Sequence, residues 1–165
     1  MVEATIVQRL ETRPDRVRDH SAHGVNRRIS QVMQARVEQC IRLGRDAVVT
    51  RLQELEREWD IDRVLMTNFV VLGGLTCLVG VERYADAPFF GERRTGWLYL
   101  FGAQLGFLLM HASIGWCPPM AVWRRIGVRT KNEIDVERAM LNAALEPEMA
   151  VMNGGPPLSA PQVSS

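Results

Sequence analysis

The stretch VLMTNFVVLGGLTCLVGV, Val64–Val81, contains no charged side chain. How it is read decides the fold. As an α-helix it would be about 27 Å long, close to the roughly 30 Å hydrocarbon core of a bilayer. A helix of that length in a soluble protein normally keeps a polar face for water, whereas this run is apolar nearly all round. A second uncharged run, Gly96–Val122, is longer and has room to tilt. Two membrane spans, at 64–81 and 97–117, are therefore expected. The glycines, threonines and Asn68 of the first run leave two alternatives open: a buried helical hairpin, or an amphipathic hairpin lying on a membrane.

The remainder of the 165-residue chain is strongly charged, yet its formal net charge is only +1. Lys131 is the only lysine. Such a balance offers no electrostatic footprint for nucleic acid. Cys40, Cys77 and Cys117 stand far apart, so neither a disulfide framework nor a structural zinc site is expected. The start, MVEATIVQRLETRP, lacks the basic and apolar segments of a cleaved signal peptide. The sequence contains no nucleophile–base–acid set, phosphate loop or paired metal motif. A non-enzymatic protein with no cofactor and no metal is the expectation.

Residues 1–24 are polar, carry Pro14 and Gly24, and read as a disordered tail. His20 and His23 could touch a metal, but two ligands fall short of an ordinary site. Over 25–62 the pattern is amphipathic and helical, with Ile29, Met33, Val37, Cys40, Gly44, Val48, Leu52, Leu55 and Trp59 three or four apart. Asn26 is a candidate cap and Gly44 a candidate break. Arg51–Arg63 reads as a solvated helix face. The linker Glu82–Thr95, with Pro88 and Gly91, should be a polar loop whose Phe89 and Phe90 dip back toward the membrane. Thr130 and Glu133 have capping-box spacing, which predicts a short helix over 131–146 ended by Pro147. The tail, 147–165, should be disordered. The expected fold is all-α: a two-span transmembrane hairpin (63–130) preceded by a long amphipathic helix and followed by a short cytoplasmic one. The arginines flanking both spans place both termini in the cytoplasm by the positive-inside rule.

Antiparallel spans centred near Leu72 and Phe107 would bring Gly73 level with Gly106, Thr76 near Gln104 and Asn68 near His111. Gly102 and Gly106 form a G-x-x-x-G that could let helices approach closely. Asn68, Gln104 and His111 need partners in hydrocarbon, so an Asn68–His111 contact is expected.

Cys117 admits two readings. Pro118 and Pro119 end the helical ladder beside it and free carbonyls at Ser113–Gly115. Arg124 and Arg125 nearby would favour a thiolate able to carry sulfur or a soft metal. Alternatively it is an interfacial cysteine beside a helix breaker, between Trp116 and Trp123 of an aromatic belt.

The elements Trp59-Asp60-Ile61-Asp62-Arg63-Val64-Leu65, Gly115-Trp116-Cys117-Pro118-Pro119 and Arg124-Arg125-Ile126-Gly127-Val128-Arg129-Thr130 resemble the YgaP-like inner-membrane domain family. So does Val25-Asn26-Arg27-Arg28-Ile29, which is similar to a longer subgroup. The likeness covers about 25–145. It implies a helical hairpin in a bacterial inner membrane, with Cys117 at the motif position. Some members carry a rhodanese domain; this chain has no rhodanese active-site loop, so sulfurtransferase activity is not implied. The expected role is an anchor or assembly hairpin that meets the bilayer and a copy of itself or a membrane-protein partner. The alternative is a thiol, sulfur or metal relay at Cys117.

Overall fold

A computed structural model describes residues 8–10, 12–85 and 96–152, with side chains up to 145. Every regular element among the described residues is an α-helix: α1 Arg16–Asp19, α2 His23–Leu43, α3 Arg45–Arg57, α4 Ile61–Ala85, α5 Gly96–Ile114, α6 Pro118–Ile126 and α7 Lys131–Met152. The expected loop Glu82–Thr95 starts later than its composition suggests, since Glu82–Ala85 continue α4; 86–95, with Phe89 and Phe90, lie outside the described residues, as do 1–7, 11 and the tail from 153.

The helices fall into two compact units. The first, here the charged unit, holds Arg28–Glu58 and the chain from Lys131 onward. Its core joins α2, α3 and α7 through Val37, Val48, Leu55, Ile134 and Leu141. The chain breaks between α2 and α3 at Gly44, whose φ of 92° suits glycine. Within the stretch expected to be a solvated face, Gln53, Glu54, Glu56 and Arg57 are exposed, but Arg51 turns inward and centres a charge cluster. Arg51, with a side chain 12% exposed, donates from Nε to Glu137 Oε1 at 2.8 Å, from Nη1 to Glu54 at 2.8 Å and from Nη2 to Glu58 at 3.1 Å. Burial opposes the guanidinium charge, but the hydrogen bonds to Glu137 and Glu54 outweigh it, and the Arg51 pKa is raised. Periodicity along α3 could not reveal this, because Glu137 arrives from α7. The expected stop at Pro147 also fails, since α7 continues to Met152. A proline removes one backbone bond and tends to bend a helix whose neighbouring turns persist.

The second, apolar unit comprises Asp15–Arg27 and Trp59–Thr130. Residues 15–24, expected to be loose, are therefore ordered: Asp15 caps α1 by accepting from Arg18 N–H at 3.0 Å, and α2 begins at His23. Asp60 caps α4 in the same way, accepting from Arg63 N–H at 2.8 Å. Helices α4 and α5 are long and apolar enough to cross a membrane, and they pack antiparallel. Gly80 of α4 faces Leu98 of α5, and Gly73 faces Phe101 and Gln104. The buried stripe of α4, Ile61, Leu65, Phe69, Gly73, Thr76 and Gly80, recurs every three or four residues. Everything else on α4 is half-buried or exposed.

The Arg51 cluster yields a test. Replacing Arg51 with Leu removes the bidentate guanidinium from the fully buried Glu137 and should cost up to about 3 kcal/mol. Thermal unfolding in detergent, followed by the labelling rate of Cys40 in the same unit, would show an earlier transition. An unchanged midpoint would mean that the cluster does not hold the unit together.

Candidate functional site

The segments singled out in the sequence meet at one end of the α4–α5 pair. Helix α5 ends at Ile114, and Gly115 turns the chain with φ 78°. A side chain there would collide with Arg16, whose Cβ lies 2.6 Å from the position a Cβ would occupy. The carbonyls left open at the end of α5 are taken up by Arg16, which donates from Nη1 to Ser113 O at 3.3 Å and Ala112 O at 3.5 Å. Cys117, itself extended, caps α6, and Pro118 occupies its first turn, where a missing N–H costs nothing. Gly127 (φ 103°) ends α6 in a Schellman turn: its N–H donates to Arg124 O and the Val128 N–H to Trp123 O. Val128 and Trp123 both pack on the core, the contact that usually accompanies this turn. The chain then returns to α4, where the Ile61 N–H donates to Arg129 O at 2.9 Å.

Cys117 lies at the centre of this arrangement, fully buried with Val17, Ile61, Leu65, Phe69 and Met120. Its Sγ accepts from the Met120 N–H at 3.4 Å. Burial pushes its thiol pKa up, while the Met120 hydrogen bond works weakly the other way. Of the two readings of Cys117, its burial opposes the arginine-assisted thiolate. Arg124 is engaged by the surrounding turn. Its guanidinium donates to Asn26 Oδ1 at 2.8 Å, Val128 O at 3.1 Å and Ser21 Oγ at 3.2 Å, and the residue is 1% exposed. Asn26, expected as a cap, bridges instead: its Nδ2 donates to Arg18 O at 2.8 Å. Asp15 accepts from the Thr130 hydroxyl at 2.5 Å. The tie between 15–27 and the turn after α6 joins residues about a hundred positions apart, which no local pattern could signal.

The polar residues of the spans are distributed as follows. Gln104, on the buried face of α5, donates from Nε2 to Thr76 Oγ1 at 3.1 Å, and Thr76 donates in turn to the carbonyls of Leu72 and Gly73. His111 does not meet Asn68. Its Nε2 lies 3.1 Å from Asp62 Oδ1. Asn68 precedes Phe69 by one residue and so is turned about 100° off the buried stripe. Asp62 stands six residues before Asn68 on α4, so the level pairing missed the partner of His111 in position along the helix as well as in rotation. The same geometry removes Gly102 and Gly106 from the seam. Each is two residues from Gln104, on nearly the opposite side of α5, and nothing lies near where its Cβ would be. Among the described residues no three His, Cys, Asp or Glu side chains gather as a metal site. Pro118 is exposed, whereas Cys117 beside it is buried in the core.

Two measurements follow. Replacing Thr76 with Val, or Gln104 with Leu, should weaken α4–α5 association by about 1 kcal/mol; unchanged association in an interhelical crosslinking assay would contradict the seam. Cys117 should resist maleimide in the folded protein and react on unfolding. Cys117→Ser, which puts a capping oxygen in place of the capping sulfur, should be more stable than Cys117→Ala by about 1 kcal/mol. Because the folded-state thiol pKa is raised, its contribution is whole below the ordinary thiol value of about 8.5 and lost as pH rises past it. Cys117→Ser should abolish that part of the alkaline sensitivity. No protein-family model, curated protein or solved structure matches this chain.

Proposed function

We propose that this chain is a small, non-enzymatic integral protein of a bacterial inner membrane. Helices α4 and α5 form a two-span hairpin that anchors the charged unit and presents its helices to a second copy or to a membrane-protein partner. One observation carries this reading: the apolar helices remain uncovered. Only 28% of the most apolar stretch ending in α4, and 6% of that in α5, is buried inside the protein. Val70 is 74% exposed, Leu78 69% and Leu109 69%. In water such a surface far exceeds what a soluble monomer ordinarily shows; in hydrocarbon it is the expected state.

The aromatic residues support the same reading. Tyr84, Trp97 and Tyr99 are exposed at one end of the pair, and Trp59, Trp116 and Trp123 belong to the other, as in the two interfacial girdles of a spanning segment. The arginines that precede α4 and follow α5 favour a cytoplasmic location for both termini. The likeness of the quoted segments to the YgaP-like domain is in keeping with such an architecture. The relay reading is disfavoured, because a carrier thiol needs access and a thiolate, whereas Cys117 is buried with its pKa raised.

The expected behaviour is retention in the membrane pellet after an alkaline carbonate wash, with tags at both termini inaccessible to a non-permeant reagent in intact cells. Release into the supernatant would refute the anchor, and labelling of both termini would refute the orientation.

A further inference from the structure

We propose that α6 is a membrane-surface helix. It lies in the headgroup layer, sinks Val122 and Ile126 toward the acyl chains and sets Arg125 against lipid phosphates. This rests on the bilayer reading of α4 and α5 and extends it to a helix too short and too charged to span.

The argument begins with the polarity of α6, which is inverted relative to a helix in water. At about 100° per residue, its nine residues sort into two faces. Met120 and Arg124 point inward and are 0% and 1% exposed. Val122 and Ile126 point outward and are 55% and 68% exposed, with exposed Arg125 flanking them on the Val122 side. A helix free to roll in water would bury the valine and isoleucine and release the arginine. Here it cannot roll. Arg124 is held by Ser21, Asn26 and Val128, Cys117 fixes the first turn, and the Gly127 turn fixes the last. The fold therefore forces an apolar face outward, and something must make that arrangement favourable.

The position of α6 identifies the occupant. Met120 packs in one cluster with Ile61 and Leu65, from the first turns of α4, and with Met110, from the last turns of α5. Helix α6 thus stands level with the end of the span pair, where hydrocarbon gives way to headgroups. Half-buried Trp123 flanks its outward face, and Trp59, 50% exposed with Arg63 5.9 Å above its ring, marks the start of α4 at the same level. Exposed aliphatic side chains, tryptophan and arginine on one short helix are the composition of an in-plane interfacial helix. The outward guanidinium suits phosphate, which offers it charge-assisted hydrogen bonds. A dry protein seam would have to desolvate it.

The test uses the full-length protein reconstituted in vesicles containing anionic lipid, with Cys40→Ser, Cys77→Ala and Cys117→Ser as background. An environment-sensitive fluorophore is attached through Val122→Cys or Ile126→Cys, with Val70→Cys and Thr50→Cys as membrane-core and aqueous references. The expected result is quenching by lipids spin-labelled near the headgroup, exceeding quenching by lipids labelled deep in the chain. Iodide quenching should be several-fold weaker than at Thr50→Cys. If positions 122 and 126 are as accessible to iodide as Thr50→Cys while Val70→Cys is quenched by deep spin labels, the inference is overturned and the bilayer reading stands. If Val70→Cys is also aqueous, both fail. Protection from iodide and from both lipid quenchers would place protein over α6, and would overturn the inference as well.

Discussion

Helices α4 and α5 can give each other only one narrow stripe, and the rest of this protein depends on that limit. The stripe on α4 repeats every three or four residues, and α5 answers with Gln104 and the aromatic residues beside it. Away from the end closed by α1 and α6, the rest of the circumference is largely aliphatic and exposed among the described residues. An all-round apolar pair can be stable in two settings: inside a larger protein, or in lipid. In lipid the hydrophobic effect no longer drives helix pairing, and close packing together with interhelical hydrogen bonds takes over. The seam fits that regime, with glycine at 73 and 80 where the helices approach and one hydroxyl–amide hydrogen bond between them.

The second constraint is the way the chain closes the end of this pair. Gly115 and two prolines stop α5, and a stopped helix leaves carbonyls without partners. Arg16 supplies donors from a segment that precedes everything else in the unit. Arg124 then ties that segment to α6, and the Ile61–Arg129 backbone hydrogen bond returns the chain to the head of α4. Within this closure Cys117 is a capping and packing residue. Its sulfur accepts one backbone hydrogen bond and fills space among aliphatic side chains. An arginine that looks in sequence like a membrane-flank charge is instead the polar centre of the turn.

The elements most legible in the sequence were those set by composition and period. The uncharged runs, the stripe from Ile29 to Leu55, the break at Gly44 and the stop beside Pro118 all depend on neighbours within a turn or two. The Thr76–Gln104 level followed from antiparallel spans centred near Leu72 and Phe107. What was hidden depends on long-range or rotational information. Arg51 meets Glu137 across 86 positions, and Arg124 meets Asn26 across 98. The expected Asn68–His111 contact did not form, and Gly102 and Gly106 lie off the seam, because a level pairing rule carries no rotation. The ordering of Asp15–Arg27 was missed for a related reason: its composition is that of a loose tail, and only its distant partners fix it.

The central claim is that the outward faces of α4 and α5 contact hydrocarbon. Power-saturation spin-label spectroscopy on the full-length protein in bilayers addresses it directly. Labels replacing Val70, Leu78, Leu105 and Leu109 should be readily relaxed by dissolved oxygen and shielded from a water-soluble nickel chelate. Ready relaxation by the chelate at these four positions would contradict the account, since it would place water where lipid is required.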